Sequence, residues 1–516
     1  MTRGDGGLTR RTLSGLFWTA WGKGAYTALK LLVLAVMARL LSPADFGVVS
    51  AALVVIGFST IFSHLGLGPA LVQRAELEPR HLDTAFTTSL LFGTLLAVLI
   101  WLGAPAAAQA LRIERVEPVL RALAWVFPLQ GLAVAAESRL RRELRFQWLA
   151  NLEVVTYGIG YGVVGIGLAL AGWGVWALVT GQIAQTVLRS GVLLFKQPPR
   201  WRHLFELRAF RELMYFGGGF TVAKAANYLA LQADNLVVGR FLGPQALGFY
   251  GRAYSLMAAP AQSFGTVLDQ VLFPTLARIQ HDPERLGTAY RRGVVLLGLI
   301  TLAPSAALIL LGPEVVAVIL GPGWAPTVAP FQILAIGMLF RTSYKMSDSI
   351  ARSTGAVYRR AWRQIAYAAL VIVGAWVGQQ WGIAGVAWGT LGALTVNFLL
   401  MAELGLEIGG MTWMEFWRAH VPALRLTVAT FPFVWATTAA LRRSELPAPL
   451  VLAVALAAGA VSALLLCRRA PNAFLGADGQ WILNQLRGFR PGSRGRAPYT
   501  GKQPAYGDGN APAAVP

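Results

Sequence analysis

"MARLLSPADFG" (Met37–Gly47) closes one long apolar segment, turns at a proline and opens another. At an offset of 201 residues "VGRFLGPQALG" (Val238–Gly248) repeats it: Arg39 falls on Arg240, Leu41 on Leu242, Pro43 on Pro244 and Gly47 on Gly248. The same offset places Lys23 on Lys224, so the match takes in the preceding apolar segment. A second echo, "WGVWALVTG" (Trp173–Gly181) and "WGIAGVAWG" (Trp381–Gly389), lies at an offset of 208. Two echoes at nearly equal offsets predict two lobes of six spans each, 8–200 and 209–405. An even number of spans leaves both copies in one orientation, so the axis relating them runs along the membrane normal. Two further spans within 421–467 have no repeat partner, and the Gly-, Pro- and Ala-rich stretch 487–516 reads as a disordered basic tail.

Composition fixes the class. Of 516 residues, 55% are hydrophobic and 13% charged, and apolar runs of membrane-crossing length recur along the chain. About fourteen spans are expected in an all-α polytopic membrane protein. The basic N-terminal stretch lacks a small-residue cleavage site and is read as retained. The single Cys467 excludes an intrachain disulfide and a cysteine-based metal cluster. The net charge of +21 is concentrated in alternate loops such as "SRLRRELRF" and "KQPPRWRHLFELRAFR". That asymmetry predicts both termini on the cytoplasmic side and makes the basic excess topological, without a nucleic-acid partner.

Ionisable groups inside spans cost about 2.5–3.5 kcal/mol each near the bilayer centre, so each needs a purpose or an escape. Lys23 and Lys30 share a helix face in the first span; Lys224, Asn227 and Asp234 share one in the seventh. The eighth carries a stripe of Arg252, Ser255, Gln262, Thr266 and Asp269, and the tenth ends with Arg341, Lys345, Asp348 and Arg352. The pattern predicts a wet cleft between the lobes. Lys23, Lys30, Lys224, Asn227, Arg252, Gln262, Arg341 and Lys345 would face an anionic, polar substrate there. Asp234, Asp269 and Asp348 are the candidates for binding a coupling proton or sodium ion. Plainer readings stand beside these. Arg341, Lys345 and Asp348 could form a structural ion-pair ladder, Asp234 could pair with a lysine of the facing lobe, and Arg39 and Arg240 fit interfacial anchors at span exits. The chain has no G-x-x-x-x-G-K-[ST] loop, no histidine cluster with metal-ligand spacing and no catalytic constellation, so a transporter without a resident cofactor is expected rather than an enzyme.

The segments "ARLLSPADFGVVSAALVV", "HLGLGPALVQR", "LQADNLVVGRFLGPQALGFYGRAYSLMAAP" and "VLFPTLARIQHD" together resemble the Wzx-like polysaccharide transporters of the multidrug/oligosaccharidyl-lipid/polysaccharide exporter superfamily, nearest the colanic-acid-type branch. The resemblance covers roughly residues 8–470. It implies a MATE-like fold with a central cavity in the bacterial cytoplasmic membrane. It also implies flipping of undecaprenyl-pyrophosphate-linked oligosaccharides for surface polysaccharide, beside membrane lipids and polymerase or assembly proteins. A drug/cation antiporter of the same superfamily and a lipid II flippase are the alternatives.

Overall fold

The computed structural model describes residues 24 and 26–488 apart from 64–66, 74–77, 144 and 199–204; for 69, 72–73, 212–227, 229–230, 261–275, 277–278, 357 and 485–488 it describes the backbone alone. The described chain is helical throughout its long segments. In the first half these are α1 (26–40), α2 (Pro43–Ser63), α3 (Leu67–Gln73), α4 (Pro79–Leu111), α5 (Val116–Leu123), α6 (Val126–Arg142), α7 (Phe146–Tyr157), α8 (Ile166–Leu170) and α9 (Val175–Lys196). A π-helical stretch, Gly158–Gly165, joins α7 to α8. The second half has α10 (Leu207–Arg278), α11 (Pro283–Leu310), α12 (Gly312–Ile319), α13 (Val328–Ile336), α14 (Met338–Ser353), α15 (Val357–Gly378) and α16 (Gly382–Gly409). After it come α17 (Trp413–Arg443), α18 (Ala448–Arg469), α19 (Pro471–Phe474) and α20 (Gly476–Gly488).

Among the described residues nine helices are long and apolar enough to span a membrane, or ten when the bent pair Pro322–Ile336 and Met338–Ser353 counts as one. That criterion takes Tyr358–Gly409 as a single span although Gly382 breaks it, and it passes over α1 and α10. The fourteen spans read from the sequence stand as an expectation, as do the lobe boundaries.

The repeated motif makes the same turn by two different means. In the first copy Ser42 and Asp45 cap α2 reciprocally: the Asp45 amide donates to Ser42 Oγ at 3.2 Å and the Ser42 amide donates to Asp45 Oδ2 at 3.2 Å. In the second copy Gly243 takes φ +85° and ψ 179°, which only glycine reaches cheaply, and α10 is divided there into two limbs. The tryptophan–glycine echo is also a shared backbone state. Gly174 (φ +54°) and Gly382 (φ +69°) begin α9 and α16 in the same Gly-only region.

The two motif copies interlock. A Cβ on Gly47 would stand 1.7 Å from the Pro244 carbonyl oxygen, and one on Gly248 would stand 1.9 Å from that of Pro43. Each glycine is thus the notch that receives the proline backbone of the other copy. This contact lays α2 along α10 and joins the halves at what we term the elbow end. The ends of α2 and of α10's second limb opposite the elbows form the basic end. There Arg291 and Arg292 pair with Asp478, and Arg141 and Arg189 share Glu137.

Beyond the second half, α17 and α18 pack on α11 and α12. Arg442 of α17 grips Glu314 through two hydrogen bonds of 2.7 and 2.8 Å and also donates to the Leu310 carbonyl. The helix α20, absent from the sequence reading, folds back onto α11 through Asp478 and through Trp481, whose ring lies 3.7 Å from the Arg292 guanidinium.

Gly248→Ala is expected to destabilise the protein by about 1–3 kcal/mol or more, because a backbone must move to admit the methyl group. Gly191→Ala, which meets nothing within 4 Å, is the comparison and should leave the melting midpoint in detergent unchanged or slightly raised.

Candidate functional site

Charge gathers where α1, α2 and the second limb of α10 meet. Arg252, on the stripe expected from the sequence, lies with its guanidinium 5.0 Å from the centre of the Phe46 ring and its Nη2 3.5 Å from Ser50 Oγ. Its Nε is buried and finds no hydrogen-bond partner among the described residues. Lys30 of α1 is exposed and close enough to Arg252 and Glu153 to feel their charges. Two cations, one from each half, therefore lie within electrostatic reach of each other, with the Glu153 carboxylate acting on Lys30.

A row of tyrosines flanks these cations. Tyr26 meets Tyr157 edge-on at 5.3 Å, and Tyr157 stacks on Tyr161 at 4.9 Å. The Tyr161 hydroxyl donates to Gln182 Oε1 at 2.6 Å. Tyr157 and Tyr161 sit at the start of the π-helical stretch, a distortion concentrated at functional positions in helices. The sequence reading missed this row. Its signal was the spacing of Tyr157 and Tyr161 by four in the otherwise glycine-rich "YGIGYGVVG".

Asp234 lies in a second, fully enclosed network. Its carboxylate accepts the Tyr250 hydroxyl at 2.7 Å and the Asn235 amide at 2.8 Å, and the Tyr250 hydroxyl is 3.0 Å from Thr390 Oγ1. Asp234 thus ties α10 to α16 within the second half; its partner is a tyrosine rather than a lysine of the facing half. Arg341, buried as well, donates to the Tyr254 hydroxyl at 2.5 Å and lies over that ring. Tyr250 and Tyr254 are one turn apart on the same helix as the Arg252 stripe. They lie off the stripe of Arg252, Ser255, Gln262, Thr266 and Asp269 that the spacing singled out.

The remaining candidates separate. Asp348 pairs with Arg352 at 3.0 Å and with Arg360, an ion-pair group that joins α14 to α15. Lys345 is half-buried on α14. Lys23 and the side chains of Lys224, Asn227, Gln262 and Asp269 lie outside the described residues, as does the tail beyond 488. Arg39 and Arg240, at their span exits, each donate to a helix-end carbonyl of the opposite half. An amino-acid sequence shows a span edge but not which helix ends beside it.

The family described as polysaccharide biosynthesis protein matches residues 36–329, which takes in both motif copies and the whole seam between them. The chain belongs to this family. Among its relatives, the teichuronic acid biosynthesis protein TuaB of Bacillus subtilis (strain 168) is 23% identical over 90% of this chain and 96% of its own length. The lipopolysaccharide biosynthesis protein WzxC of Escherichia coli (strain K12) is 23% identical over 76% and 80%. The fold is shared with the lipid II flippase MurJ in an inward closed conformation, at TM-score 0.72 and 12% identity over 88% of this chain and 99% of that one. It is shared too with an inward-facing MATE family multidrug transporter of the MOP superfamily, at TM-score 0.60 and 18% identity over 74% and 95%. This member of the polysaccharide biosynthesis family is therefore an integral membrane protein of the MOP fold, with two lobes about a central region.

Tyr250→Phe should lower stability by about 1–3 kcal/mol, since it strips a buried carboxylate of its side-chain donor. In a thermal-shift cycle with Asp234→Asn, the double variant should lose less than the sum of the singles, as expected for groups in one network.

Proposed function

We propose that the protein carries an undecaprenyl-pyrophosphate-linked oligosaccharide from the inner to the outer leaflet of the bacterial cytoplasmic membrane, for surface polysaccharide synthesis. The observation that carries this reading is the pair Lys30 and Arg252, brought together from opposite halves at a seam of the MOP fold, with the buried Arg252 Nε unpartnered among the described residues. A pyrophosphate would fill that place. The ammonium would act as a point charge, and the Arg252 Nε would supply a donor that otherwise has no partner. Removal of a carboxylate-sized or phosphate-sized anion from water is costly, and cations gathered at the seam offset that cost. The glycan needs a polar path beside them, which Gln182, Glu153 and the hydroxyls of the tyrosine row provide. The prenyl chain can stay in the bilayer throughout.

Movement follows from two lobes that meet at a binding seam. Rocking about it would open the seam to one side at a time and separate Lys30 from Arg252 as the substrate leaves. Under the positive-inside rule the basic end is cytoplasmic, with both termini, and the elbow end faces outward. Asp234 is the group we assign to coupling: it lies on α10, the element shared by the elbow and the Arg252 stripe, and it would bind a proton or a sodium ion. Polymerase or assembly proteins are the expected downstream partners. No step in this scheme breaks a covalent bond, which sets the protein apart from enzymes of the same pathway class.

The surface-polysaccharide names of the relatives favour this substrate over lipid II or a drug cation, since the MurJ and MATE likenesses are likenesses of fold. Deletion of the gene should abolish one surface polysaccharide and leave its lipid-linked repeat unit on the cytoplasmic leaflet, measured by lipid extraction and protease-free leaflet labelling. Complementation with Arg252→Ala should restore at most about a tenth of wild-type polymer, and Arg252→Lys distinctly more. A null strain with every surface polysaccharide intact would refute the assignment.

A further inference from the structure

The two repeat arginines do one job in a reciprocal way. Arg39 of α1 reaches across to the C-terminal end of α12: its Nη2 donates to the Val318 carbonyl at 2.5 Å and its Nη1 to that of Ile319 at 3.2 Å. Arg240, its counterpart at the end of α10's first limb, donates through Nη1 to the carbonyl of Ala110 at the C-terminal end of α4. Each half thus contributes one arginine and receives the other, across the seam, at the elbow end.

The carbonyls they choose are ones the helices cannot satisfy. The last four carbonyls of a helix have no intrahelical donor. At the end of α12, Val316 accepts the amides of Leu320 and Gly321, and Val318 and Ile319 receive none from the turn. At the end of α4, Ala108 accepts Ile113 and Gln109 accepts Arg112, which leaves Ala110. The helix C-terminus is also the negative pole of the macrodipole, where a guanidinium is favoured. The arginine of each half therefore completes helix-end carbonyls of the other half when the two are docked.

Neighbouring groups make the same seam. The Trp324 indole, just past α12, donates to the Ala38 carbonyl at 2.8 Å and meets Phe46 and Phe249 edge-on at 5.3 and 5.9 Å. Beside the arginines, the proline of each motif copy seats on the glycine of the other. Arg442 holds the opposite end of α12 through Glu314, so α12 is fixed at both ends, by the first half and by the C-terminal hairpin.

We propose that Arg39 and Arg240 are a paired latch on the extracytoplasmic exit, each closing onto the orphan carbonyls of the opposite lobe, so that the exit opens only when both let go. The inference rests on the alternating-access reading above. It goes beyond it by naming the contacts that must break, and by giving the repeated arginine a role apart from substrate.

The test uses the full chain with its only cysteine removed, Cys467→Ser, and one reporter added, Ala51→Cys. Ala51 is buried on α2 one turn beyond Gly47, beneath the elbows. A membrane-impermeant maleimide is applied to right-side-out and to inside-out vesicles. Arg39→Ala with Arg240→Ala should raise labelling about tenfold or more in right-side-out vesicles, and the single variants should raise it less. Labelling of the double variant at the parental rate would overturn the latch. So would an equal rise at Ala402→Cys, a buried site in α16 away from the seam, because that reports general loosening. The readout is independent of transport: an intact polysaccharide in the null strain would remove the substrate assignment and leave the labelling result standing.

Discussion

Backbone against backbone, Pro43 on Gly248 and Pro244 on Gly47, is the constraint from which the rest of the molecule is built. No side chain fits in either notch, so α2 and α10 approach as closely as two helices can. That approach brings Ser50 and Phe46 to Arg252, and it sets α1 beside α10 so that Lys30 shares the same region. It also presents the elbow arginines to the helix ends of the opposite half. Small residues at a helix crossing serve a membrane protein well, because lipid offers no hydrophobic gain for burying large ones.

Three carboxylates within the helices are each given a specific answer. Asp234 is enclosed, and a tyrosine hydroxyl and a backbone amide meet its carboxylate. Glu314 is buried and meets a two-point arginine. Asp348 is shared by two arginines near the basic end. Against these, Arg252 keeps a buried donor with no described partner, and its neighbour Lys30 repels it. A buried donor left over beside a second cation calls for an explanation, and a bound anion supplies one for Arg252.

The division of labour between the two copies of the motif follows from the same economy. Their elbows match in shape, yet one uses a Ser–Asp capping pair and the other a glycine with positive φ. Asp45 also receives Arg115 at 3.1 Å, an interaction the second copy has no carboxylate to make. Likewise Trp324 fills the seam from the second half alone. Duplication supplied the frame, and each half then acquired its own contacts on it.

The membrane class, the duplication and the resemblance to a polysaccharide transporter family could all be read from the chain, because they depend on composition, period and repeat. Arg252 on a polar stripe and Asp234 inside a span were legible for the same reason: an ion in an apolar segment is conspicuous without any structure. Partners were not legible. The sequence places Arg39 at a span edge, but only the docked halves put the end of α12 beside it. The sequence aligns Arg341, Lys345 and Asp348 on one face, but only the approach of α15 brings Arg360 to Asp348. Tyr250 and Thr390 are 140 residues apart, and no local pattern links them. Periodicity is a property of one helix and survives in one dimension; hydrogen-bond partnership across a seam is decided by which helices end together, and that exists only once the chain has packed.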